Sequence, residues 1–344
     1  MLHFAARYGN GSSATHLCRR RGRAPRAKNQ CGTGTLRRMK ALVLGAAAGG
    51  GFPQWNSNAA ACNRARRGDP KAPARTQASL AVSADDAHWF LFNASPDLRQ
   101  QIEATPELHP HQGLRSSPIA GVVLTGADVD AIAGLLTLRE RQPLTLYATA
   151  KVLALLKANP IFDVLAADVV TRHALALDTA QPLLLPDGAA SGLTVECFAV
   201  PGKVPLYLEQ AEGTPPIVLG EDTVGALIAD ARSRLFFIPG CATMTDSISG
   251  RLRGADLVLF DGTLWRDDEM IRAGLGSKSG RRMGHMSLTG AEGTMAAFHT
   301  LAVKRKILVH VNNSNPVLLK DSSERAELEA AGWEVAHDGM RISL

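Results

Sequence analysis

LTGADVDAIAGLLTLRE, running from Leu124 to Glu140, is the stretch that decides the fold. It follows the apolar run IAGVVLT (119–125), which reads as a buried strand. From about residue 128 to 140 its own apolar residues recur at helical spacing. Two carboxylates, Asp128 and Asp130, stand where strand gives way to helix. In open α/β architectures the ligand-holding groups collect at strand ends. The junction is therefore a candidate metal or catalytic site. Acids spaced by two can both face such a site only while the backbone is not yet helical. The plainer alternative is a pair of helix-opening acids, each stabilised by the helix dipole by about 0.3–1 kcal/mol.

Working outward, short apolar runs alternate with helical patterns. ALVLGA (41–46), SLAVSA (79–84) and WFLFNA (89–94) read as strands, and SPDLRQQIEA (95–104) as a helix with Ser95 as its N-cap. LTLYA (144–148) is a strand and 150–158 a helix. The second half repeats the theme, with strands expected at 193–200, 223–230, 234–240, 255–262 and 305–313. Helices are expected at 287–302, opened by Ser287 or Thr289, and at 322–331, before a last strand over 333–344. Strand pairs followed by helices, in two halves, predict an α/β sandwich: two sheets inside and helices outside. A doubly wound fold would alternate more strictly. Residues 55–77, rich in Ala, Arg and Pro, read as a long loop and a candidate lid.

The bulk numbers narrow the class. A chain of 344 residues has ample length for a core. No run of 18 or more uncharged apolar residues occurs, so no membrane span is expected. The net charge of +6 comes from the beginning of the chain: residues 1–38 hold nine Lys/Arg and no acid, which leaves −3 on residues 39–344. A nucleic-acid partner therefore has no support in the body. The basic leader 1–38 is open to three readings: a targeting peptide, a nucleic-acid-binding tail, or an upstream extension before a natural start at Met39. In each it is expected to be disordered and to contribute nothing to a single domain over 39–344. Cys18, Cys31, Cys62, Cys197 and Cys241 include no CxxC pair, which argues for a reducing, cytoplasmic compartment.

Other strand ends also carry unusual residues. Gly49-Gly50-Gly51 follows the first strand, where glycines allow either a tight turn or close approach to a ligand. Asp261 ends LVLFD, and a carboxylate buried there needs a cation, a metal or strong donors. His285 precedes a helix, and His310 sits in ILVHVNN. A histidine on such a strand is more often a satisfied core residue than a ligand, but the polar run Asn312-Asn313-Ser314-Asn315 beside it strengthens the ligand reading. Lys203 in VPGKVP and Cys241 in IPGC complete the ring of candidates. Acids and imidazoles at separate strand ends resemble the distributed ligand set of a metal site suited to iron(II), manganese or zinc.

Seven motifs carry a family resemblance: GGGFPQWNSN (49–58), LLTLRERQP (135–143), VPGKVPLYLE (200–209), FIPGCA (237–242), DGTLWRDDEM (261–270), GHMS (284–287) and ILVHVNNSNP (307–316). They are similar to the coenzyme PQQ synthesis protein B (PqqB) family, over Met39 to Leu344. The resemblance implies a metallo-β-lactamase fold, an αββα four-layer sandwich with two mixed β-sheets between helix layers. It implies a role in biosynthesis of pyrroloquinoline quinone (PQQ), as an iron- and oxygen-dependent hydroxylase of the tyrosine ring in a Glu–Tyr intermediate. The rival reading is a carrier that binds PQQ or its precursor for transport to the periplasm. The fold's HxHxDH motif falls on Gly126 to Ala131, so Gly126 and Asp128 replace two histidines, Asp130 matches the acid, and Ala131 stands at the last histidine.

Lys203 occupies the histidine position of the PGH motif, His310 matches the final ligand and His285 a loop histidine. The resemblance thus implies Asp130, His310 and Asp261 as metal ligands for Fe(II), with Zn or Mn as substitutes and molecular oxygen as co-substrate. His285 and Asp128 become the catalytic residues. Lys203, Arg281, Arg282, Asn312 and Asn313 become the contacts to substrate carboxylates. Cys62 alone remains of a cysteine cluster that holds structural zinc in some relatives, so no such zinc is expected. The expected partner is the small Glu–Tyr precursor or PQQ, with a homodimer left open.

Overall fold

The first half of the chain builds one sheet and the second half another. A computed structural model describes residues 38–209 and 217–344. The expected disordered leader falls on residues outside this description, Arg38 excepted. β1 (Lys40–Gly45), β2 (Ser79–Ser83), β3 (Trp89–Phe92), β4 (Ile119–Val123), β5 (Leu144–Ala148) and β6 (Val170–Ala174) lie side by side in that order. β7 (Gln181–Leu184), β8 (Ala190–Ala199), β9 (Val224–Ala229), β10 (Arg234–Ile238), β11 (Leu257–Asp261), β12 (Arg305–Val309) and β13 (Trp333–Val335) form the second sheet. β14 (Met340–Ser343) returns to the first sheet and pairs with β1, tying the two halves together. Both sheets are mixed. In each, an antiparallel pair, β2–β3 or β9–β10, leads into parallel strands, β4 to β6 or β11 to β13.

Alternation along the strands explains the layers. Val43, Leu80, Phe90, Phe92 and Val123 face Val195, Ala226, Phe237, Leu259 and Ile307 in the core between the sheets. There the rings of Phe92 and Phe237 meet edge to face, 6.4 Å apart. The opposite face of the first sheet, with Leu42, Leu91, Val122 and Leu146, packs under Leu98, Leu135, Val152 and Leu156 of the helices. Phe236, Val258, Phe260 and Leu308 of the second sheet pack under Ile248, Phe298 and Leu328. The result is the expected αββα sandwich.

Four local expectations fail, each to contacts that the local pattern does not register. The helix expected over 128–140 runs only Val129–Ile132 and continues as a 3-10 helix, Ala133–Arg139. Ala94, just past β3, donates its N–H to Ala131 O (2.7 Å) and accepts from Gly134 N (2.8 Å), interrupting the α-helical ladder. Over 287–302 only Thr294–Phe298 is α-helical, since the carbonyls of Ser287 and Leu288 accept from Thr294 and Met295 rather than from the next turn, while Leu288 and Thr289 donate back to Leu264 and Trp265. Ser95 is no N-cap. Its hydroxyl donates to Gln101 Oε1, and the helix begins at Leu98. The loop over 55–77 is no free lid. It contains the helix Ala60–Arg66, buries Cys62 and Ala72, and is pinned where buried Arg75 donates to Ala336 O at 3.0 Å.

Two strands went unforeseen: β6 and β7 are edge strands with mostly exposed side chains, so they lack a period-two apolar pattern. The expected last strand divides at a His337–Gly339 turn into β13 and β14, one in each sheet.

Phe237→Ala removes the inter-sheet ring contact from a fully buried site. A loss of about 3–5 kcal/mol is expected in denaturant unfolding; a loss under about 1 kcal/mol would show that the two sheets do not depend on this layer.

Candidate metal and substrate site

The ends of β4, β11 and β12 open on the same side into a cavity of about 470 Å³. Asp128 lies at the N-terminal end of the short helix that follows β4. Its side chain does not cap that helix; Oδ1 accepts from Leu206 N at 2.9 Å. Burial pushes its pKa up, against the pull of Lys203 and the Leu206 N–H. Two residues on, Asp130 Oδ2 lies 2.9 Å from His310 Nε2. The glycine turn after β1 makes room here: a Cβ on Gly49 would come within 3.4 Å of Asp130 Oδ2. His310 directly follows β12 and holds the left-handed backbone conformation (φ 58°), uncommon outside glycine though His adopts it more readily than most residues. Burial opposes ionisation of both partners, but their mutual hydrogen bond and charge prevail. Asp130 is held below the usual carboxylate range and His310 above the usual imidazole range.

Behind His310 stands a buried relay. Thr263 Oγ1 lies 2.9 Å from His310 Nδ1, 3.0 Å from His285 Nδ1 and 2.6 Å from Asp261 Oδ1. Asp261 is fully buried and receives strong donors, the Thr263 N–H on Oδ1 and the Cys241 N–H on Oδ2. Its Oδ2 also lies 2.8 Å from His285 Nδ1. The two imidazoles stack, 5.1 Å between centroids with 19° between planes. Ligand atoms of Asp261, His285 and His310 fall within 4.8 Å of one another. Asp130 meets the same His310 ring at its other nitrogen.

The candidates named from sequence divide sharply. Asp128, Asp130, Lys203, His285, His310 and Asn312 line the cavity, and Asp261 lies directly beneath. Asn313 does not. It is buried behind the wall, donating to Gln54 Oε1, with the Cys62 thiol 3.6 Å from its Oδ1. Arg281 and Arg282 do not reach the cavity either. They sit in a 3-10 turn, Arg281–Met283, that presents Met283 and Gly284 to the cavity and both arginines to solvent, where Arg281 pairs with Glu292 at 2.6 Å. Cys241 contributes its backbone N–H, while burial pushes its thiol up to about 12.

Sequence reading missed Thr263, whose signal was its place two residues after Asp261. It also missed Asn93, Glu209, Asp222 and Lys278 of the cavity wall. Asn93 clasps Thr125 through two 2.9 Å bonds, fixing the end of β4.

The sequence and the fold have known relatives. Residues 88–311 match the beta-lactamase superfamily domain. Coenzyme PQQ synthesis protein B of Gluconacetobacter diazotrophicus is 63% identical over 302 residues, covering 88% of this chain and 98% of that protein. The chain belongs to the PqqB family. The PqqB protein of Methylorubrum populi is 53% identical over 310 residues, covering 89% of this chain and 100% of the relative. The 1.98 Å crystal structure of Zn(2+)-bound PqqB from Methylobacterium extorquens matches with a TM-score of 0.84 at 51% identity, covering 89% of this chain and 100% of that one. A diphosphatase of the PhnP family matches at TM-score 0.62 and 19% identity over 89% of this chain and 97% of its own, a likeness of fold alone. The metallo-β-lactamase fold of the PqqB family is therefore the fold of this chain.

The donor set fits a divalent first-row ion. An imidazole with one nitrogen beside a carboxylate and the other held by a hydroxyl matches the usual arrangement of a metal-ligating histidine and its orienting partner. Without metal, the Asp130 carboxylate favours the protonated form of His310. Its raised pKa adds stability that is complete below the ordinary value of 6.5 and lost as pH rises through the folded value. The lowered pKa of Asp130 adds stability that is complete above 3.8 and lost as pH falls through the folded value. In chelator, the gap in melting temperature between the wild type and Asp130→Asn should be widest between these ordinary values and shrink on the alkaline side. A gap that does not change with pH would contradict the pairing.

Proposed function

We propose that this chain acts in PQQ biosynthesis as a metal- and oxygen-dependent hydroxylase of the tyrosine ring in a Glu–Tyr-derived precursor. The observation that carries the reading is the meeting of Asp130 and His310 at the mouth of a cavity sized for a small molecule. Asp130 and His310 would hold Fe(II), with Zn or Mn as substitutes, while Asp261, whose oxygens are taken by Thr263, Cys241 and His285 on the Nδ1 side of His310, would orient the imidazoles rather than serve as the third ligand. When bound, the metal supplies the redox chemistry that brings molecular oxygen to the phenol ring. The matched PqqB structure from Methylobacterium extorquens is Zn(2+)-bound, which supports a metal-dependent reading.

The protein's own groups handle protons and position. His285 has its Nδ1 fixed by Asp261 and Thr263, so its Nε2 is the nitrogen offered to substrate as proton donor or acceptor. Asp128, with its pKa raised by burial, is the second proton-handling group. Lys203 and Asn312 orient the polar ends of the substrate. Met270, Met283 and Pro239 of the wall displace water from the ring. Buried, unpaired Cys62, Cys197 and Cys241 support a cytoplasmic setting, and no described helix is long and apolar enough to cross a membrane.

One observation favours the alternative, a carrier of PQQ or its precursor. Gly126 and Ala131 line the cavity but offer no side-chain ligand. Ferrous reconstitution followed by oxygen uptake on the Glu–Tyr precursor separates the two. The wild type should turn over, and Asp130→Ala with His310→Ala together should lower turnover by at least about a hundredfold, as removal of groups essential to a chemical step does. Turnover that survives the double change would refute the metal assignment. Metal-independent binding of PQQ without any turnover would favour the carrier.

A further inference from the structure

With Arg281 and Arg282 turned outward, Lys203 and Lys278 are the Lys/Arg side chains of the cavity wall among the described residues. They come from different segments. Lys203 follows β8, and Lys278 precedes the 3-10 turn at Arg281. Both ammonium groups converge on one carboxylate, that of Glu209. Lys203 Nζ lies 2.7 Å from Oε1, and Lys278 Nζ reaches Oε2. The Glu209 side chain is only 9% exposed. A carboxylate desolvated to that degree is costly unless cations hold it, and here two do so.

The match to Lys203 is incomplete. Glu209 Oε1 is buried yet lacks a hydrogen bond of proper angle, and Lys203 Nζ spends a donor on Val204 O at 3.3 Å. Lys203 is nevertheless largely buried, its side chain only 13% exposed. The wall therefore contains a built carboxylate cradle whose present occupant is a side chain of the same protein.

We propose that Lys203 and Lys278 form the substrate-carboxylate site of this cavity, and that Glu209 is an internal stand-in which a carboxylate of the ligand displaces. The inference rests on the Glu–Tyr or PQQ reading for the class of ligand, but not on metal or oxygen. Exchange of one carboxylate for another keeps both ammonium groups paired, and the displaced Glu209 carboxylate has to turn out into water so that no buried charge is left alone once the ligand is seated. It also confers selectivity: an uncharged ring system cannot displace Glu209, whereas a polycarboxylate can. Lys278 and Glu209 thereby become specificity-determining residues.

The test is equilibrium binding of PQQ, a tricarboxylate, and of its trimethyl ester to the full chain in chelator. Lys203→Met and Lys278→Met should each weaken PQQ binding by about tenfold or more, the scale of losing one desolvated charge contact. Neither should change binding of the ester, and Lys278→Arg should retain most of the affinity. Glu209→Gln should tighten PQQ binding several-fold, because the internal competitor is gone. Melting temperatures of all variants identify any that fail to fold, in which case Lys278→Arg and Glu209→Gln carry the test.

Unchanged PQQ binding in Lys278→Met would overturn the proposal. So would weaker binding in Glu209→Gln, which would make Glu209 a ligand-holding or purely structural group, or a wild type that binds PQQ no better than the ester. Lysine-dependent binding combined with absent turnover would leave this inference standing and sink the hydroxylase reading alone.

Discussion

A carboxylate carried by the first sheet and an imidazole carried by the second face each other across 2.9 Å, and the arrangement of the site follows from that contact. Asp130 and His310 are 180 residues apart in sequence, so only the closed sandwich can bring them together. Each is held from behind. The helix bearing Asp130 is clamped to β3 by the two hydrogen bonds of Ala94, and His310 is fixed through its Nδ1 by Thr263. The left-handed conformation of His310 is of a kind that costs on the order of 1–3 kcal/mol. It persists because β12 fixes the backbone on one side and the ring is held at both nitrogens, by Asp130 and by the Thr263 hydroxyl.

Thr263 connects the acidic and basic halves of the site. A hydroxyl has one proton to give and lone pairs to receive, and this one touches Asp261, His285 and His310. The positions of its three neighbours are therefore tied to one another, as in any buried polar network of low local dielectric. The fully buried Asp261 is stable there because two backbone N–H groups and Thr263 satisfy its oxygens. It organises both imidazoles and remains within reach of a cation shared with them.

The sequence disclosed much of this and concealed the rest for physical reasons. Buried parallel strands such as β4, β11 and β12 are continuous apolar runs, and their terminal acids and histidine stand out against that background. The sandwich architecture was therefore legible, as were Asp130, Asp261 and His310. Helices over 128–140 and 287–302 were overextended because local periodicity does not register when Ala94, Leu264 or Trp265 will capture a backbone group. Arg281 and Arg282 looked like carboxylate binders by type, but one turn of 3-10 helix points them outward and gives Lys278 the inward place. Glu209 and Lys278 were invisible because nothing local distinguishes a charged residue that turns toward a cavity from one that turns toward water.

Gly126 and Ala131 line the cavity without offering an imidazole, so holding an ion would fall to few groups. A Cβ on Gly126 would come within 3.2 Å of Asp222 O, so any side chain there requires this wall to shift. A first-row ion held by Asp130 and His310 would have coordination positions left for a substrate or oxygen, whereas a site with more imidazoles would have fewer. Anomalous diffraction from crystals of the Fe(II)-loaded protein tests this most directly. The account predicts one iron peak within coordination distance, about 2.0–2.3 Å, of both Asp130 and His310 Nε2. Iron bound without either residue, or no iron in the cavity at full loading, would contradict it.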